Sequence, residues 1–579
     1  MSALKTLRPY QKHAIKTIVS ALNSQKNVVL SMPTGSGKTI VALSAALEHA
    51  KGARVSVFTR TLAEYLPWER ECRALRVDFS GHVGRDRVCK FAPTTDEKIR
   101  IDSFKPQQKC KECEHNLFKV EDDWGALLKG RLKEEFQEMQ RLGVESWVLK
   151  WKEKQKGCGY PFARDAPTTV KLYTHLTYFL LWKYVGLDTQ IFIFDEAHNL
   201  ASVTRKLSFK LSTSTLTNII TQYEELRRFG EFGSTQKLRK RLEEIERVLD
   251  FLTKLLEVAR WKKDELPQPP FEFFEGDERV QRLISHTRLV LDKPDVWKAH
   301  KKLVCPKCRH ENSERSSRCE NCGEKLEKEN EQIRAVKFIP VDPSYLVRSL
   351  NADRWILLSG SMPSSWYLSN VLGLSNFEVV EINPFEKNVK YFLDTKLDMS
   401  YEKRESVRDE AIRRALSLVA NHGVTLLVTQ NYEEVEWFKG ASNVCESQRT
   451  TIAQVLEVVN QRCERGEPTL ITAVARGKLI EGVEFKHKGK SVVSRVLLLG
   501  VPYPNVKDEE FKEMAQYLKQ KRGISTWELM LEDAVIATKQ AIGRAIRGPE
   551  DSAQVFFLDK RFKRLFGRLG INRYEVLTL

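Results

Sequence analysis

The chain has 579 residues and a mass of 66.9 kDa, more than one hydrophobic core usually supports, so several domains are expected. Its 41% hydrophobic residues suffice to build those cores, and no run of about 18 apolar residues is present to span a bilayer. Lys and Arg outnumber Asp and Glu by 95 to 77, a net charge of +18, which favours a polyanionic partner and nucleic acid before membrane. A lysine-rich soluble enzyme is the alternative that charge alone leaves open.

Short β-branched runs bounded by turn residues alternate with helical patterns along the chain. Continuous apolar strands of this kind predict parallel α/β sheets with both faces covered. The predicted strands are 27–33, 54–60, 190–196, 355–361, 425–430, 469–477, 495–504 and 554–559. Two stretches of different character, about 85–164 and 203–330, separate groups of these strands, and the second is rich in Glu, Lys, Arg and Leu at helical spacing, as in 236–260. The sequence therefore predicts an α/β core interrupted by two insertions.

The first chemical motif is "SMPTGSGKTI" at 31–40, which follows a predicted strand and opens a helical pattern. Such a loop binds phosphate through its backbone N–H groups, with a lysine on the β and γ phosphates and a hydroxyl on Mg²⁺. Met32 stands where the strict pattern has its first glycine. A chance glycine-rich turn is the alternative. The candidate nucleotide-binding residues are Thr34, Gly35, Ser36, Gly37, Lys38 and Thr39.

Four cysteines mark the first insertion with the spacing C-x20-C-x2-C-x44-C: Cys89, Cys110, Cys113 and Cys158. Four thiolates suit either zinc or an iron–sulfur cluster, and spacing alone does not separate the two. His115 offers a substitute ligand, and unligated structural cysteines are the remaining alternative.

"IFIFDEAHNL" at 191–200 begins as a buried strand and ends in paired acids. Adjacent carboxylates at a strand end are costly without a partner, and Mg²⁺ provides one. We expect Asp195 to hold Mg²⁺ together with Thr39, and Glu196 to polarise the water that attacks the γ-phosphate. Alone, the motif is equally consistent with a helix start.

The second insertion ends in "CPKCRHENSERSSRCENC" at 305–322, whose spacing is C-x2-C-x10-C-x2-C. Four thiolates at Cys305, Cys308, Cys319 and Cys322 fit a closed, structural zinc site, and a second redox cluster is the alternative. Near the C-terminus, "QAIGRAIRG" predicts a helical face carrying Gln540, Arg544 and Arg547. A solvated basic face is the alternative there, but a second α/β domain across a nucleotide cleft needs such arginines.

Phosphate loop, DEAH box and Q-x-x-G-R-x-x-R, in this order, resemble a superfamily 2 helicase, and "SMPTGSGKT" resembles the phosphate loop of the XPD/DinG branch. Further segments match in order: "RPYQ" (8–11), "TRT" (59–61), "LLSGSM" (357–362), "ARGKLIEGVEF" (475–485) and "LDKRF" (558–562). The resemblance implies that Gln11 reads adenine and that Glu484 occupies a position where the family usually has Asp. It also implies a [4Fe–4S] cluster on the four cysteines of 85–164.

The expected architecture is two RecA-like parallel-sheet motor domains, the first interrupted by an iron–sulfur domain and a helical arch that contains a zinc ribbon. The expected boundaries are 1–84, 165–204 and 338–384 for the first motor domain, 85–164 for the cluster domain, 205–337 for the arch with its ribbon at 301–326, and 385–579 for the second motor domain.

The resemblance implies an ATP-dependent DNA helicase that moves 5′→3′ on single-stranded DNA in repair or replication-linked processing. The expected cofactors are ATP, Mg²⁺, [4Fe–4S] and Zn²⁺. The expected partners are single-stranded and forked DNA, with repair proteins docking on the arch or ribbon, and we expect a monomer that is cytoplasmic, or nuclear in a eukaryote. The alternatives are a translocase that does not separate strands and a zinc-ribbon scaffold with an inactive nucleotide fold.

Overall fold

The structure is a computed structural model that describes residues 7–83, 88, 131–154, 168–174, 189–212, 290, 293–305, 307–308, 310–313, 316–326, 335–481, 483–546, 548 and 551–578. Some predicted features lie outside these residues: the helical pattern at 236–260 and the side chains of Cys89, Cys110, Cys113, Cys158 and Arg547. Within the described part of the chain, no helix is long and apolar enough to cross a membrane.

The strands, in chain order, are β1 Asn27–Ser31, β2 Val55–Thr59, β3 Phe79–His82, β4 Val170–Thr174, β5 Ile191–Phe194, β6 Phe209–Ser212, β7 Trp297–Val304, β8 Glu311–Ser313, β9 Ala335–Pro340, β10 Trp355–Ser359, β11 Phe377–Glu381, β12 Val389–Leu393, β13 Val424–Thr429, β14 Val444–Cys445, β15 Thr469–Val474, β16 Lys486–His487, β17 Lys490–Ser491, β18 Val493–Leu499, β19 Ala553–Leu558 and β20 Glu575–Val576. The helices are α1 Pro9–Asn23, α2 Lys38–Ala50, α3 Tyr65–Leu75, α4 Arg131–Leu142, α5 Val144–Lys154, α6 Leu200–Val203, α7 Ser344–Val347, α8 Ser365–Asn370, α9 Arg408–Ser417, α10 Tyr432–Glu436, α11 Ile452–Glu464, α12 Lys478–Glu481, α13 Glu509–Arg522, α14 Thr526–Ile542 and α15 Phe566–Leu569.

Two seven-stranded sheets, parallel throughout, form the two halves of the core. The first has the order β11-β1-β10-β5-β2-β4-β3 and the second has the order β14-β15-β13-β18-β19-β12-β20. All eight predicted strands are present in these sheets, and the predicted α/β class with two parallel-sheet domains is confirmed. The chain leaves the first sheet after β11 and enters the second at β12, between residues 381 and 389.

Both faces of each sheet are buried, which is why the strands read as continuous apolar runs. In β1, Val28 and Leu30 pack with helices α1 to α3, whereas Val29 points to the opposite face, as the period of a strand requires. In β13, Leu426 and Leu427 likewise enter separate clusters on the two faces of the second sheet.

Helix α13 crosses from one half of the molecule to the other. It follows β18 of the second sheet in the chain, yet Phe511, Met514 and Leu518 belong to the same buried hydrophobic cluster as Phe58 and Phe192 of the first sheet. Its last residue, Arg522, lies 2.8 Å from the buried carboxylate of Asp342. Part of the segment 385–579 therefore completes the core of the first motor domain.

A third, antiparallel sheet with the order β6-β9-β7-β8 is built from the described parts of the second insertion. The helical spacing of 203–330 did not predict these strands. The turn after β7 and the turn after β8 carry the cysteines of the ribbon.

A candidate nucleotide site between the two parallel sheets

The phosphate loop joins the end of β1 to the start of α2, where the sequence predicts it. Gly35 and Gly37 have φ of +81° and +85°, in the left-handed region that favours glycine. A Cβ on Gly37 would also collide with the side-chain amide of Gln11. The two glycines therefore let the backbone turn into the N-terminus of α2, the geometry that presents N–H groups to a phosphate.

Gln11 is buried directly behind this loop. Its Nε2 donates a hydrogen bond to the Ser36 carbonyl at 2.8 Å, and its Oε1 accepts one from the Arg8 N–H at 2.9 Å. The Tyr10 hydroxyl donates to the same Ser36 carbonyl at 3.0 Å. In this structure the residue predicted to read adenine braces the backbone of the phosphate loop.

Lys38 and the two acids of the DEAH box meet beyond the ends of β1 and β5, which β10 separates in the first sheet. The Lys38 Nζ lies 3.9 Å from Asp195 Oδ1 and donates a hydrogen bond to Glu196 Oε1. The Trp68 indole donates to Asp195 Oδ2 at 2.9 Å. Glu196 has a φ of +47°, an unusual backbone conformation for a non-glycine residue and one that clusters at functional sites.

The two carboxylates have opposite electrostatic environments. Burial raises the pKa of Asp195, and the attraction of Lys38 offsets this only in part. Burial also favours the neutral form of Glu196, but Lys38 and His198 outweigh it and hold the pKa of Glu196 well below its ordinary value. A divalent cation beside Asp195 would restore its ionised form, so both acids suit a site that holds Mg²⁺ and a water.

His198, which the sequence reasoning did not select, is the centre of the site's hydrogen-bond network. Its Nδ1 lies 2.9 Å from the Ser359 hydroxyl and 3.3 Å from Glu196 Oε2. Its Nε2 lies 2.8 Å from the side-chain amide nitrogen of Gln540, a residue of the second domain. His198 is the fourth residue of the DEAH box, and this position could have indicated a role. Its partners Ser359 and Gln540 are too distant in the sequence for a local pattern to relate them to it.

The second domain contributes Gln540, Arg544 and Glu484 to the cleft, and the prediction of one helical face is wrong for Arg544. Helix α14 ends at Ile542, and Arg544 lies in the turn that follows. Gly543, a poor helix former, occupies the cap position. From the turn, Arg544 still borders the cleft, and its Nη1 donates to the Val483 carbonyl at 2.8 Å.

A second cross-domain contact lies beside the first. The Arg60 guanidinium, at the end of β2, lies 2.8 Å from the carboxylate of Glu481 at the end of α12. Both side chains are about one-quarter exposed, so solvent screens this pair less than a surface pair. The pair was not predicted, although Arg60 belongs to the "TRT" motif and Glu481 to "ARGKLIEGVEF".

These residues enclose a cleft of about 950 Å³ between the two parallel sheets. Its walls include most of the predicted nucleotide residues: Thr34, Gly35, Gly37, Lys38, Thr39, Asp195, Glu196, Glu484, Gln540 and Arg544. Glu484 is half exposed and pairs with Lys486 at 2.7 Å. Arg568 and Lys539, which were not selected from the sequence, add positive charge to the wall on the side of the second domain.

The four cysteines of the ribbon form a separate cluster. Their Sγ atoms all lie within 4.8 Å of one another, with Cys305–Cys322 at 3.6 Å and Cys308–Cys319 at 3.5 Å. Four sulfurs about 2.3 Å from a tetrahedral ion would be about 3.8 Å apart. The donor set and its spacing therefore fit one metal ion. The cysteines of the first insertion lie outside the described residues.

Two parallel sheets that face each other across a phosphate-loop cleft define a nucleotide-hydrolysing motor of two domains.

Family models match both halves: the res subunit of type III restriction enzymes at residues 4–73, and the helicase C-terminal domain at 407–568. The chain is 26% identical to the ATP-dependent DNA helicase XPD of Sulfolobus acidocaldarius, over 98% of each chain. It is also 32% identical to the XPD subunit of general transcription and DNA repair factor IIH from Dictyostelium discoideum, over 20% of this chain and 14% of that protein.

Solved XPD structures share the fold. One XPD helicase superposes with a TM-score of 0.62 at 22% identity, over 99% of this chain and all of that one. Xpd4 of S. tokodaii superposes with a TM-score of 0.55 at 17% identity and the same coverage. Together these matches support an XPD-like ATP-dependent DNA helicase, an ATP-hydrolysing enzyme.

Proposed function

We propose that this protein separates DNA strands while moving 5′→3′ along single-stranded DNA, in repair or replication-linked processing. One observation supports a working motor above all others. The phosphate loop and the DEAH acids face Gln540 and Arg544 of the other domain, and the contact between His198 and Gln540 joins the two walls.

In the proposed cycle, Lys38 exchanges its contact with Glu196 for the β and γ phosphates of ATP. Thr39 and Asp195 would hold Mg²⁺, and the released carboxylate of Glu196 would orient the attacking water. Before ATP binds, Lys38 and His198 hold the pKa of Glu196 well below its ordinary value, so the carboxylate enters the cycle ionised.

The second domain supplies the groups that respond to the γ-phosphate. Gln540 and Arg544 border the cleft from the opposite wall, together with Glu484. In the proposal Arg547 acts with them, by its place in the Q-x-x-G-R-x-x-R motif. Loss of that phosphate removes a ligand that both domains bind, so the cleft opens and closes once per ATP, which moves the domains along the strand.

The two cysteine sets receive different metals in this proposal. Cys89, Cys110, Cys113 and Cys158 would hold a [4Fe–4S] cluster, an assignment that rests on the family resemblance of 85–164. Cys305, Cys308, Cys319 and Cys322 would hold Zn²⁺, because an all-thiolate closed set suits a structural zinc ion. Repair-protein partners would dock on the arch or the ribbon, and the motor would act as a monomer.

Forked DNA with one single-stranded tail tests the proposal. The protein should unwind a fork that has only a 5′ tail, with ATP and Mg²⁺, and fail on a fork that has only a 3′ tail. ATP hydrolysis stimulated by single-stranded DNA, without unwinding of either fork, would instead identify a translocase. Motors of this kind contact the phosphate backbone, which DNA and RNA share, so an RNA fork is tested as well. Equal unwinding of the RNA fork would remove the assignment of DNA as the substrate.

A further inference from the structure

Strand β7 connects two features that the proposed helicase cycle does not use. Over Trp297–Lys302 it pairs with β9, and over Lys302–Val304 it pairs with β8. Cys305, the first thiol of the metal cluster, follows its last residue directly. The position of this strand is therefore tied to the geometry of the metal site.

The same strand contacts helix α13 through a network of charges. His300 lies with its Nδ1 3.3 Å from Glu509 and its Nε2 3.3 Å from Glu513. Lys302 Nζ lies 2.6 Å from Glu509. Lys337, directly opposite His300 on β9, lies 3.0 Å from Glu510. The three basic side chains share one face of the sheet, since residues two apart on a strand, and residues paired across strands, point the same way.

This network is shielded from water. All six side chains are 29% exposed or less, so the pairs are screened less than surface ion pairs. Burial opposes ionisation of Glu509, yet Lys302, His300 and Lys337 together hold its pKa below the ordinary value. If β7 moved by one residue, the basic face would point away and leave the acids of α13 partly buried without partners.

Helix α13 connects this network to the nucleotide cleft. Phe511 and Leu518 of the helix join the hydrophobic cluster that contains residues of the first sheet, and the helix leads into α14 after Arg522. Helix α14 carries Gln540, which contacts His198. A displacement at the acidic end of α13 is therefore passed to a pair of packed helices that ends beside the DEAH box.

The ribbon itself has almost no apolar core. Among its described residues, Cys305, Cys319 and Leu326 are buried, with Leu303 and Cys308 packed against them. Three of these five residues are the proposed metal ligands, so without the ion the thiols would have to pack as ordinary side chains. Small units with so little core depend on a bound metal for their shape.

We propose that the metal ion held by the four ribbon cysteines keeps β7 in register on helix α13, so that the second insertion braces the second motor domain. Zinc loss then releases the charge network, and the displacement of α13 reaches Gln540 through α14, which slows ATP hydrolysis and strand separation together. The unwinding part rests on the proposed function, whereas the metal and the packing of α13 do not.

Two variants test the effect of the metal and the effect of the charge network on α13 separately. Cys319→Ser should lose about one zinc per chain and raise hydrogen exchange in both 297–304 and 509–522, by about tenfold. Lys302→Glu should retain its zinc and raise exchange in 509–522 only, whereas Lys302→Arg, which keeps a positive charge beside Glu509, should retain protection. Lys307 is an exposed residue of the ribbon that pairs with Glu324. Lys307→Glu is the matched control and should change neither the zinc content nor the hydrogen exchange.

ATPase and unwinding assays complete the test. In Cys319→Ser and Lys302→Glu, ATP hydrolysis on single strands and unwinding should each fall by about fivefold, because the contact of Gln540 with His198 is weakened, while Lys307→Glu should keep both activities. Unchanged exchange of 509–522 after zinc loss would overturn the inference, and so would unchanged exchange of 509–522 in Lys302→Glu. If the native protein unwinds no fork, the proposed function fails, and the exchange results still decide whether the metal braces α13.

Discussion

The side-chain amide nitrogen of Gln540 lies 2.8 Å from Nε2 of His198, and this contact joins the two parallel-sheet domains beside Glu196. If Gln540 donates, the imidazole carries its proton on Nδ1, where it can donate to Glu196 or Ser359. One imidazole thus connects the carboxylate proposed to orient water with a residue of the opposite domain.

The first prediction concerns this contact. His198→Ala and Gln540→Ala should each lower DNA-stimulated ATP turnover by about tenfold. The ATP turnover of the double variant should equal that of the less active single variant, because both substitutions remove the same interaction. Gln461→Ala, on the surface of α11, is the control. Additive losses would mean that the two residues act separately.

The second prediction concerns the proposed roles of Lys38 and Glu196. Glu196→Gln should lower ATP turnover by about 10²–10⁴-fold while nucleotide binding persists, because the amide cannot accept the proton of the attacking water. Lys38→Ala should weaken nucleotide binding as well, because the phosphates lose their cation. Stopped-flow binding and phosphate release distinguish the two, and near-native turnover by Glu196→Gln would remove its assigned role.

The third prediction uses the pair formed by Arg60 and Glu481. Arg60→Glu or Glu481→Arg alone should lower ATP turnover by about fivefold, because like charges would then oppose closure of the cleft. The double exchange should recover most of the activity, since it restores opposite charges across the same gap. The exposed pair Lys439 and Glu436 is the control, where a reversal should cost little.

The fourth prediction tests the iron–sulfur assignment. Protein purified without oxygen should be yellow-brown and carry about four irons per chain, and Cys113→Ser should bleach it. Unwinding of 5′-tailed forks should be lost, while ATP hydrolysis on single strands persists in part because the motor residues lie outside 85–164. A colourless, iron-free native protein would refute the cluster. Normal unwinding by Cys113→Ser would leave a cluster without a role at the fork.

The fifth prediction concerns pH and the buried acid Glu434. Burial raises its pKa from the ordinary 4.5 to about 7, although Gln430 and Arg404 oppose the rise. Between these values the folded chain holds a proton that the unfolded chain has lost, so the free energy of unfolding falls as pH rises from about 4.5 to 7 and stays at the lower level above that. Glu434→Gln should therefore melt higher relative to wild type at about pH 8 than at about pH 5. A constant difference in melting temperature would exclude the shift.

Local patterns in the sequence determined much of this protein. A strand such as 27–31 is recognisable because both its faces must be apolar, and the phosphate loop because left-handed backbone at 35 and 37 calls for glycine. The metal site of the ribbon cysteines could also be predicted from a local pattern. In each of the two close pairs, the short spacing along the chain already brings the sulfurs near one another.

The contacts between distant segments were decided only by the tertiary structure. His198 and Gln540 are 342 residues apart, and Arg60 and Glu481 are 421 apart, so no local pattern relates them. An apolar face such as that of Phe511 and Leu518 shows that a helix must be covered, but not that it joins a hydrophobic cluster of the other domain. Arg544 left its predicted helical face because the helix ends at Ile542, with the poor helix former Gly543 at its cap. The sequence determines which segments are apolar and which are charged. Only the tertiary fold determines which of these segments are buried against one another or paired.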